Sequence, residues 1–441
     1  FQAEDGIRDR SPSRGLGDVY KRQFFLWLGR AWEGGAMART AAGLPAGSRV
    51  TDFISVGVLA ARYPRDLVDR VLAETGRGSQ RQRQLPAHVV VYYVIALALF
   101  MSVSYGEVLQ CLLEGLSWLG LPPDRVRTTG RSGISQARAR LGPEPMRRIF
   151  EAVAKPIATK RTRGAFYRGW RVVAIDGTTL DVPDTAENEK EFGRPGVARG
   201  KSGFPQLRAV FLSEVGTHAF FHVEAGPYTT SENVLAAKVI GRLTPGMLCL
   251  ADRGYFSYAF WKSTRATDAD LLWRVRADAI LPCLERLDDG SFLSKLYPSV
   301  SARRRDEEGV SVRVVEYTLD GAVGEPQTVY RLVTSILDPL AGPAEDLADL
   351  YHQRWEIETA FDELKTHLRG RQVVLRSKTP DLVFQEFYGL LLAHYAVRGL
   401  MHEAALTADV DPDRLSFVHA IRVVRRDVLA PGSFPPSASQ A

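Results

Sequence analysis

The segment "LYHQRWEIETAFDELKTHL", residues 350–368, sets Tyr351, Arg354, Glu358 and Lys365 at steps of three, four and seven. On a helix advancing about 100° per residue they fall at about 0°, 300°, 340° and 320°, a sector roughly 60° wide. Ile357, Ala360, Phe361, Leu364 and Leu368 occupy roughly 180° to 280°, so an apolar stripe runs beside the polar quartet and should pack on a sheet. Taken alone, Arg354 and Glu358 are an ordinary i,i+4 pair worth about 0.3–0.5 kcal/mol.

Two more carboxylates change that reading. "VVAIDG" and "LCLADRG" each end an apolar, strand-like run with an aspartate followed within two residues by glycine: Asp176 with Gly177, and Asp252 with Gly254. Open α/β sheets place their sites at such strand ends, although a lone aspartate there is commonly a turn or cap residue. Converging carboxylates repel one another unless protonated or neutralised by cations, and hard oxygen ligands with open water positions select Mg²⁺ or Mn²⁺. Two such ions about 3.5–4 Å apart clamp the attacking and leaving oxygens of a phosphodiester. Arg354 and Lys365 would then grip neighbouring phosphates, with Tyr351 donating a hydrogen bond to another.

The elements that must position these groups follow from periodicity. Up to about residue 164 the pattern is helical, with amphipathic segments at 53–74 and 87–118. Within it, "TTGRSGISQARARLGPEPMRRIFEAV" gives a helix with Arg138 and Arg140, a Gly-Pro break, and a second helix with Arg147 and Arg148. This pair is either a helix-turn-helix that contacts DNA or a solvated basic face. Short β-branched and aromatic runs then begin at "WRVVAID", with a helix at 231–243 between the third and the fourth, so a mixed α/β domain is expected. Strand signals continue between residues 277 and 339. A helix follows Pro343, with Glu345, Asp346 and Asp349 at its positive end. Further helices are expected from residue 379 to about 406, before a Pro/Ser-rich tail.

With these residues placed, the chain resembles the bacterial DDE transposases of the insertion sequence 4 family, whose signature Tyr-x2-Arg-x3-Glu-x6-Lys is complete here. "AIDGTTLDVPDT" and "ADRGYF" add to the match, which covers roughly residues 170–400. The resemblance implies an RNase H-like core, a mixed sheet flanked by helices, with catalytic and metal-holding Asp176 on the first strand, Asp252 after the fourth and Glu358 on the helix beyond a β-rich insertion. It makes Asp181 and Asp184 loop residues without a catalytic part. It implies two Mg²⁺ or Mn²⁺ ions per active site and nicking of the element's ends. A hairpin intermediate and strand transfer into target DNA would follow. Partners would be double-stranded DNA, as terminal inverted repeats and target, and a second copy in the synaptic complex, with no membrane and no small-molecule substrate. Trp355 would stack on a flipped base, against the simpler reading of an ordinary buried tryptophan. Tyr330 in "VYRLVTS" stands where the family carries a second stacking aromatic, usually tryptophan. The expected division is 37–165 helical and DNA-binding, 166–276 with 340–406 catalytic, 277–339 the β-rich insertion, and 407–441 a C-terminal segment and tail.

Composition sets the outer bounds. The 441 residues carry 57 Lys and Arg against 51 Asp and Glu, a formal charge of +6, with a pI near 9.2. That mild excess suits a polyanionic partner. Cys111, Cys249 and Cys283 show no metal-ligand spacing, which points away from a zinc site or a disulfide framework and towards a reducing cytoplasm. The longest apolar run, residues 89–103, is shorter than the roughly 18 residues of a membrane span and reads as a buried helix. Residues 1–36 resemble translated adapter read-through, and Met37 is the expected start; the remainder keeps +5 of the +6. A nuclease or resolvase with the same metal site, and a catalytically silent DNA-binding regulator, are the alternative functions. A carboxylate-pair glycosidase gives Arg354 and Lys365 no task.

Overall fold

The apolar run in the N-terminal third folds as a helix buried on every side. The structure, a computed structural model, describes residues 56–81, 85–118, 130–197, 200–201, 203–318, 329–370 and 374–426. The adapter-like leader and the last fifteen positions of the tail lie outside the described residues. Among the described residues six helices come first: α1 (Val56–Arg62), α2 (Arg65–Glu74), α3 (Ala87–Leu99), α4 (Tyr105–Trp118), α5 (Arg131–Leu141) and α6 (Glu144–Val153). Every residue of α3 from Val89 to Leu99 is buried, as expected for a helix without a polar face.

The α/β part carries strands β1 (Trp170–Asp181), β2 (Gln206–Glu214), β3 (Ala219–Pro227), β4 (Met247–Ala251), β5 (Asp270–Arg274), β6 (Phe292–Leu296), β7 (Val310–Thr318) and β8 (Val329–Thr334). Its helices are α7 (Ala186–Phe192), α8 (Glu232–Val239), α9 (Tyr258–Arg265), α10 (Val300–Arg305), α11 (Ala344–His352), α12 (Trp355–Asp362), α13 (Pro380–Ala408) and α14 (Phe417–Arg426). The labelled strands form one sheet in the order β3-β2-β1-β4-β5-β8-β7-β6. β1, β2 and β3 are antiparallel neighbours, whereas β4 and β5 join the other side of β1 in parallel. That order and direction are the RNase H-like arrangement. The insertion extends this same sheet, because β8 pairs antiparallel with β5 through Val333 and Trp273.

Side-chain alternation sorts the sheet into two cores. Val173, Ile175, Cys249 and Ala251 pack with Leu235 and Val239 of α8 and Trp261 of α9. Val172, Ala174, Leu248 and Leu250 share the opposite core with Leu347, Ile357, Phe361 and Leu364. That second core also contains α3 and α13, so the N-terminal helices and the covering layer of the sheet are one hydrophobic cluster. Gly389 is where α13 meets α3: a β-carbon there would lie 2.8 Å from Val94 Cγ1 and 2.9 Å from its carbonyl oxygen.

The two basic helices expected near residue 140 are present as α5 and α6, but their arginines are largely spent within the protein. Arg147 pairs with Glu144 and Glu151, and Arg148 pairs with Glu144. Arg138, expected to touch DNA, is 3% exposed. Its Nε donates to Gln385 Oε1 at 2.8 Å and its Nη2 to Ser377 Oγ at 2.9 Å. It is turned inward onto α13, which corrects the reading of Arg138 as a DNA contact. Arg140 is exposed, with its backbone carbonyl held by Arg77.

A buried ionic network fastens the helices over the sheet. His218, in the β2–β3 turn, faces Glu363 Oε1 at 3.2 Å through Nδ1, and Glu356 Oε2 at 2.9 Å and Asp413 Oδ1 at 3.2 Å through Nε2. Glu363 also accepts from Arg398 Nε at 2.8 Å and pairs with His394 Nε2 at 3.1 Å.

Candidate active site

Two parallel neighbouring strands start the site: Asp252 directly follows β4, whereas β1 continues to Asp181, which corrects the reading of Asp176 as a strand-end residue. Ile175 on β1 and Ala251 on β4 are register partners across a parallel pair, and adjacent strands lie about 4.8 Å apart. The next residue after each is an aspartate. Alternation directs Asp176 to the face of Val172 and Ala174, and Asp252 to the face of Leu248 and Leu250, the face that α11 and α12 cover. Asp181 closes β1 as a strand residue and accepts from Gln206, which corrects its assignment to a loop; Asp184 lies in the loop beyond and pairs with Arg194.

The signature segment is not the single regular helix that its periodicity predicts. Between α11 and α12 the backbone bonds run from Gln353 to Leu350, Arg354 to Tyr351, Glu356 to Gln353 and Ile357 to Arg354, all i to i−3. A π turn, Glu363–Leu368, follows α12. Tight turns advance more than 100° per residue and π turns less, so the angle gained before α12 is given back after it. Tyr351, Arg354, Glu358 and Lys365 therefore still face the side of the sheet that carries Asp176 and Asp252.

Arg354 occupies the centre of the arrangement. It is 4% exposed; Nη1 donates to Asp176 Oδ2 and Nη2 to Glu358 Oε1, both at 3.3 Å. The expected Arg354–Glu358 pair thus exists, but the guanidinium is aimed at carboxylates, which corrects its reading as a group already presented to phosphate. Burial works against its charge, yet Tyr351, Asp176, Asp252 and Glu358 together hold its pKa above the ordinary value. The ring of half-buried Trp355 lies 4.7 Å from its Cζ.

Tyr351 is buried, and its hydroxyl points to the carbonyl of Ala251 at 3.4 Å, beside Asp252 rather than outward to a phosphate. Lys365 is half-buried, and burial lowers its pKa while Arg369 adds to that effect and Asp181 and Asp176 oppose it. Tyr330, on β8, stacks on Tyr317 with centroids 5.4 Å apart and has Arg274 Cζ 4.4 Å above its ring. Its stacking surface is engaged inside the sheet extension.

The three carboxylates differ in environment. Burial pushes the Asp176 carboxyl up to about 7, with Glu232 and Glu358 adding to the effect and Arg354 and the Gly177 amide opposing it. Asp252 Oδ1 is shielded from solvent without a hydrogen-bond partner among the described residues. The Glu358 side chain is 45% exposed. A buried carboxylate oxygen with no donor is costly, and a hard divalent cation satisfies both it and the crowded charge of its neighbours. The chemistry of these donors suits such an ion, although their ligand oxygens do not all lie within 4.8 Å of one another here; among the described residues that spacing is met by His218, Glu356 and Asp413.

Sequence reasoning missed one acid. Glu232, at the start of α8, accepts a hydrogen bond from Tyr255 and lies against Gly177. Only Tyr255, inside "ADRGYF", gave a signal; Glu232 reads as an ordinary first-turn acid.

Comparison with known proteins gives a family model described as a transposase DDE domain over residues 168–396, and one described as the insertion element 4 transposase N-terminal region over residues 53–151. The transposase InsG of insertion sequence element IS4 from Escherichia coli is 32% identical over 381 residues, 84% of this chain and 83% of that protein. A piggyBac transposase solved as a synaptic complex with hairpin DNA overlays 85% of this chain and 79% of its own, at 11% identity and a TM-score of 0.42.

Proposed function

Because this chain belongs to the insertion sequence 4 family of DDE transposases, DNA-binding enzymes of phosphoryl transfer that use divalent metal, we propose that it moves its element by a cut-and-paste reaction with Asp176, Asp252 and Glu358 as the metal-holding triad. The observation that carries this reading is the juxtaposition, across the parallel pair β1 and β4, of Asp176 and Asp252 on the face where Arg354 links Glu358 to Asp176.

Two Mg²⁺ or Mn²⁺ ions held by these carboxylates would acidify the attacking water and neutralise charge on the scissile phosphate. The remaining work belongs to the chain itself. Arg354 keeps Asp176 and Glu358 from repelling each other before metal arrives. Tyr351 steadies the end of β4 from which Asp252 projects. Lys365, half-buried beside Asp176, is the cation best placed to receive a phosphate. Trp355 offers a ring at the mouth of the site for an unstacked base.

Nicking at the element's ends, a hairpin intermediate and attack of the freed 3′-hydroxyl on target DNA complete the proposed sequence, with two copies in the synaptic complex. Purified protein incubated with element-end DNA and Mn²⁺ should nick at the ends. Undiminished nicking by an Asp252→Ala variant would refute the assignment. A donor with precut ends separates transposase from nuclease, since only a transposase joins it to a second DNA. Among the described residues no helix is long and apolar enough to cross a membrane; the proposed place of work is the bacterial cytoplasm.

A further inference from the structure

Two glycine- and tyrosine-bearing motifs meet at a residue that neither contains. A β-carbon on Gly177 would lie 2.5 Å from both Cδ and Oε1 of Glu232 and 2.9 Å from its Cγ. Gly177 has no positive φ, so its backbone makes no demand for glycine; the room it leaves is filled by the Glu232 side chain. From the other strand, the hydroxyl of buried Tyr255 donates to Glu232 Oε1. Gly177 directly follows Asp176, and Tyr255 lies three residues after Asp252. Glu232 is thus admitted by β1 at the residue after Asp176 and held by the turn that follows β4.

We propose that Glu232 is a fourth carboxylate of the metal centre, supplied by α8, and that Gly177 and Tyr255 are there to seat it. This rests on the reading of Asp176, Asp252 and Glu358 as the metal-holding triad. Arg354 already answers part of the negative charge of that triad through its contacts with Asp176 and Glu358. A pair of divalent ions then meets too little opposing charge from Asp252 and the shared carboxylates alone. Glu232 restores it, and a carboxylate that neutralises or orients a metal site has the leverage to change affinity about 10–100-fold.

The test is calorimetric titration of the full chain with Mn²⁺, without DNA, so that the readout is binding and not turnover. Glu232→Gln keeps an acceptor for Tyr255 and removes the charge; it should weaken Mn²⁺ binding about tenfold or more. Tyr255→Phe keeps the charge and frees the side chain, and should weaken binding by a smaller factor. Asp252→Asn sets the reference for loss. Wild-type Mn²⁺ affinity in Glu232→Gln, with binding lost in Asp252→Asn, overturns this inference alone. Wild-type affinity in both overturns the triad reading with it. Should Glu232→Gln not fold, wild-type affinity in Tyr255→Phe overturns the inference instead.

Discussion

Arg354 Nη1 stands 3.3 Å from Asp176 Oδ2, and through that contact the helix bearing Glu358 is tied to the strand bearing Asp176. In the metal-free protein this guanidinium is the cation between two carboxylates. Replacing it with methionine should cost about 1.5–3 kcal/mol of stability, the range for hydrogen bonds to charged groups. Mn²⁺ should then raise the Tm of Arg354→Met by more than it raises that of the wild type, because the ion takes over the neutralising part. Thermal melts with and without Mn²⁺ measure both; equal increments in the two proteins would show that Arg354 does not stand in for the metal.

Arg138 offers a sharp separation of stability from recognition. Its hydrogen bonds to Gln385 and Ser377, and the return bonds of Gln385 Nε2 to the carbonyls of Arg138 and Gly142 at 3.0 and 2.8 Å, clasp α5 to α13. Arg138→Ala should lose about 1.5–3 kcal/mol in urea denaturation while its folded fraction binds element-end DNA with wild-type affinity by fluorescence anisotropy. Weaker DNA binding at unchanged stability would restore Arg138 to the DNA interface.

What could be read in the sequence was local. An aspartate after a β-branched run, followed by glycine, suggests the end of a strand; Asp252 stands at such an end, whereas β1 runs on past Asp176 and Gly177 to Asp181, because those residues keep pairing with β2. The spacing of Tyr351, Arg354, Glu358 and Lys365 announced a shared face, and they share it even though the helix is overwound at Gln353 and underwound from Glu363. Pairing between distant segments was not legible. Nothing in the periodicity of β8 says that it adds to β5, nor that Arg138 reaches across to Gln385. Glu232 and Glu363 look like ordinary helix acids until the fold sets Tyr255 and Gly177 beside one and His218, His394 and Arg398 beside the other. The family resemblance carried the triad from a pattern of residues to a chemistry; the contacts that steady it are tertiary.

Gly389 should be intolerant of even one methyl group. An added β-carbon would meet the carbonyl oxygen of Val94 as well as its side chain, and backbone cannot step aside as a side-chain tip can. Gly389→Ala gains helix propensity but forces α13 away from α3, for a net loss of about 1–3 kcal/mol. Urea denaturation checks it; a variant as stable as the wild type would mean that the two helices part freely.

His218 should make stability fall on the alkaline side. The ring is 2% exposed and is faced by Glu356 of α12, Glu363 of the π turn, Arg398 and His394 of α13, and Asp413 of the turn Pro412–Arg414. Burial and the Arg398 charge work against its proton, but the hydrogen bonds to Glu356 and Glu363 and the charge of Asp413 prevail and raise its pKa from 6.5 to about 9. A pKa higher in the folded than in the unfolded chain means that the folded protein binds the proton more tightly. The associated stability is fully present below pH 6.5 and is lost as pH rises through 9. Asp413 acts at lower pH: burial, with Glu356 and Asp411 adding, raises it from 3.8 to about 7 against the pull of His218 and Arg398, so the stability it contributes is largely lost by pH 7, before that of His218. The urea midpoint should therefore drop between pH 6.5 and 9.5, by an amount equivalent to about 2–3 kcal/mol. His218→Gln should be less stable at pH 6 and much flatter over the same range. A wild-type midpoint that holds steady across that window would show that His218 is not protonated in the folded protein.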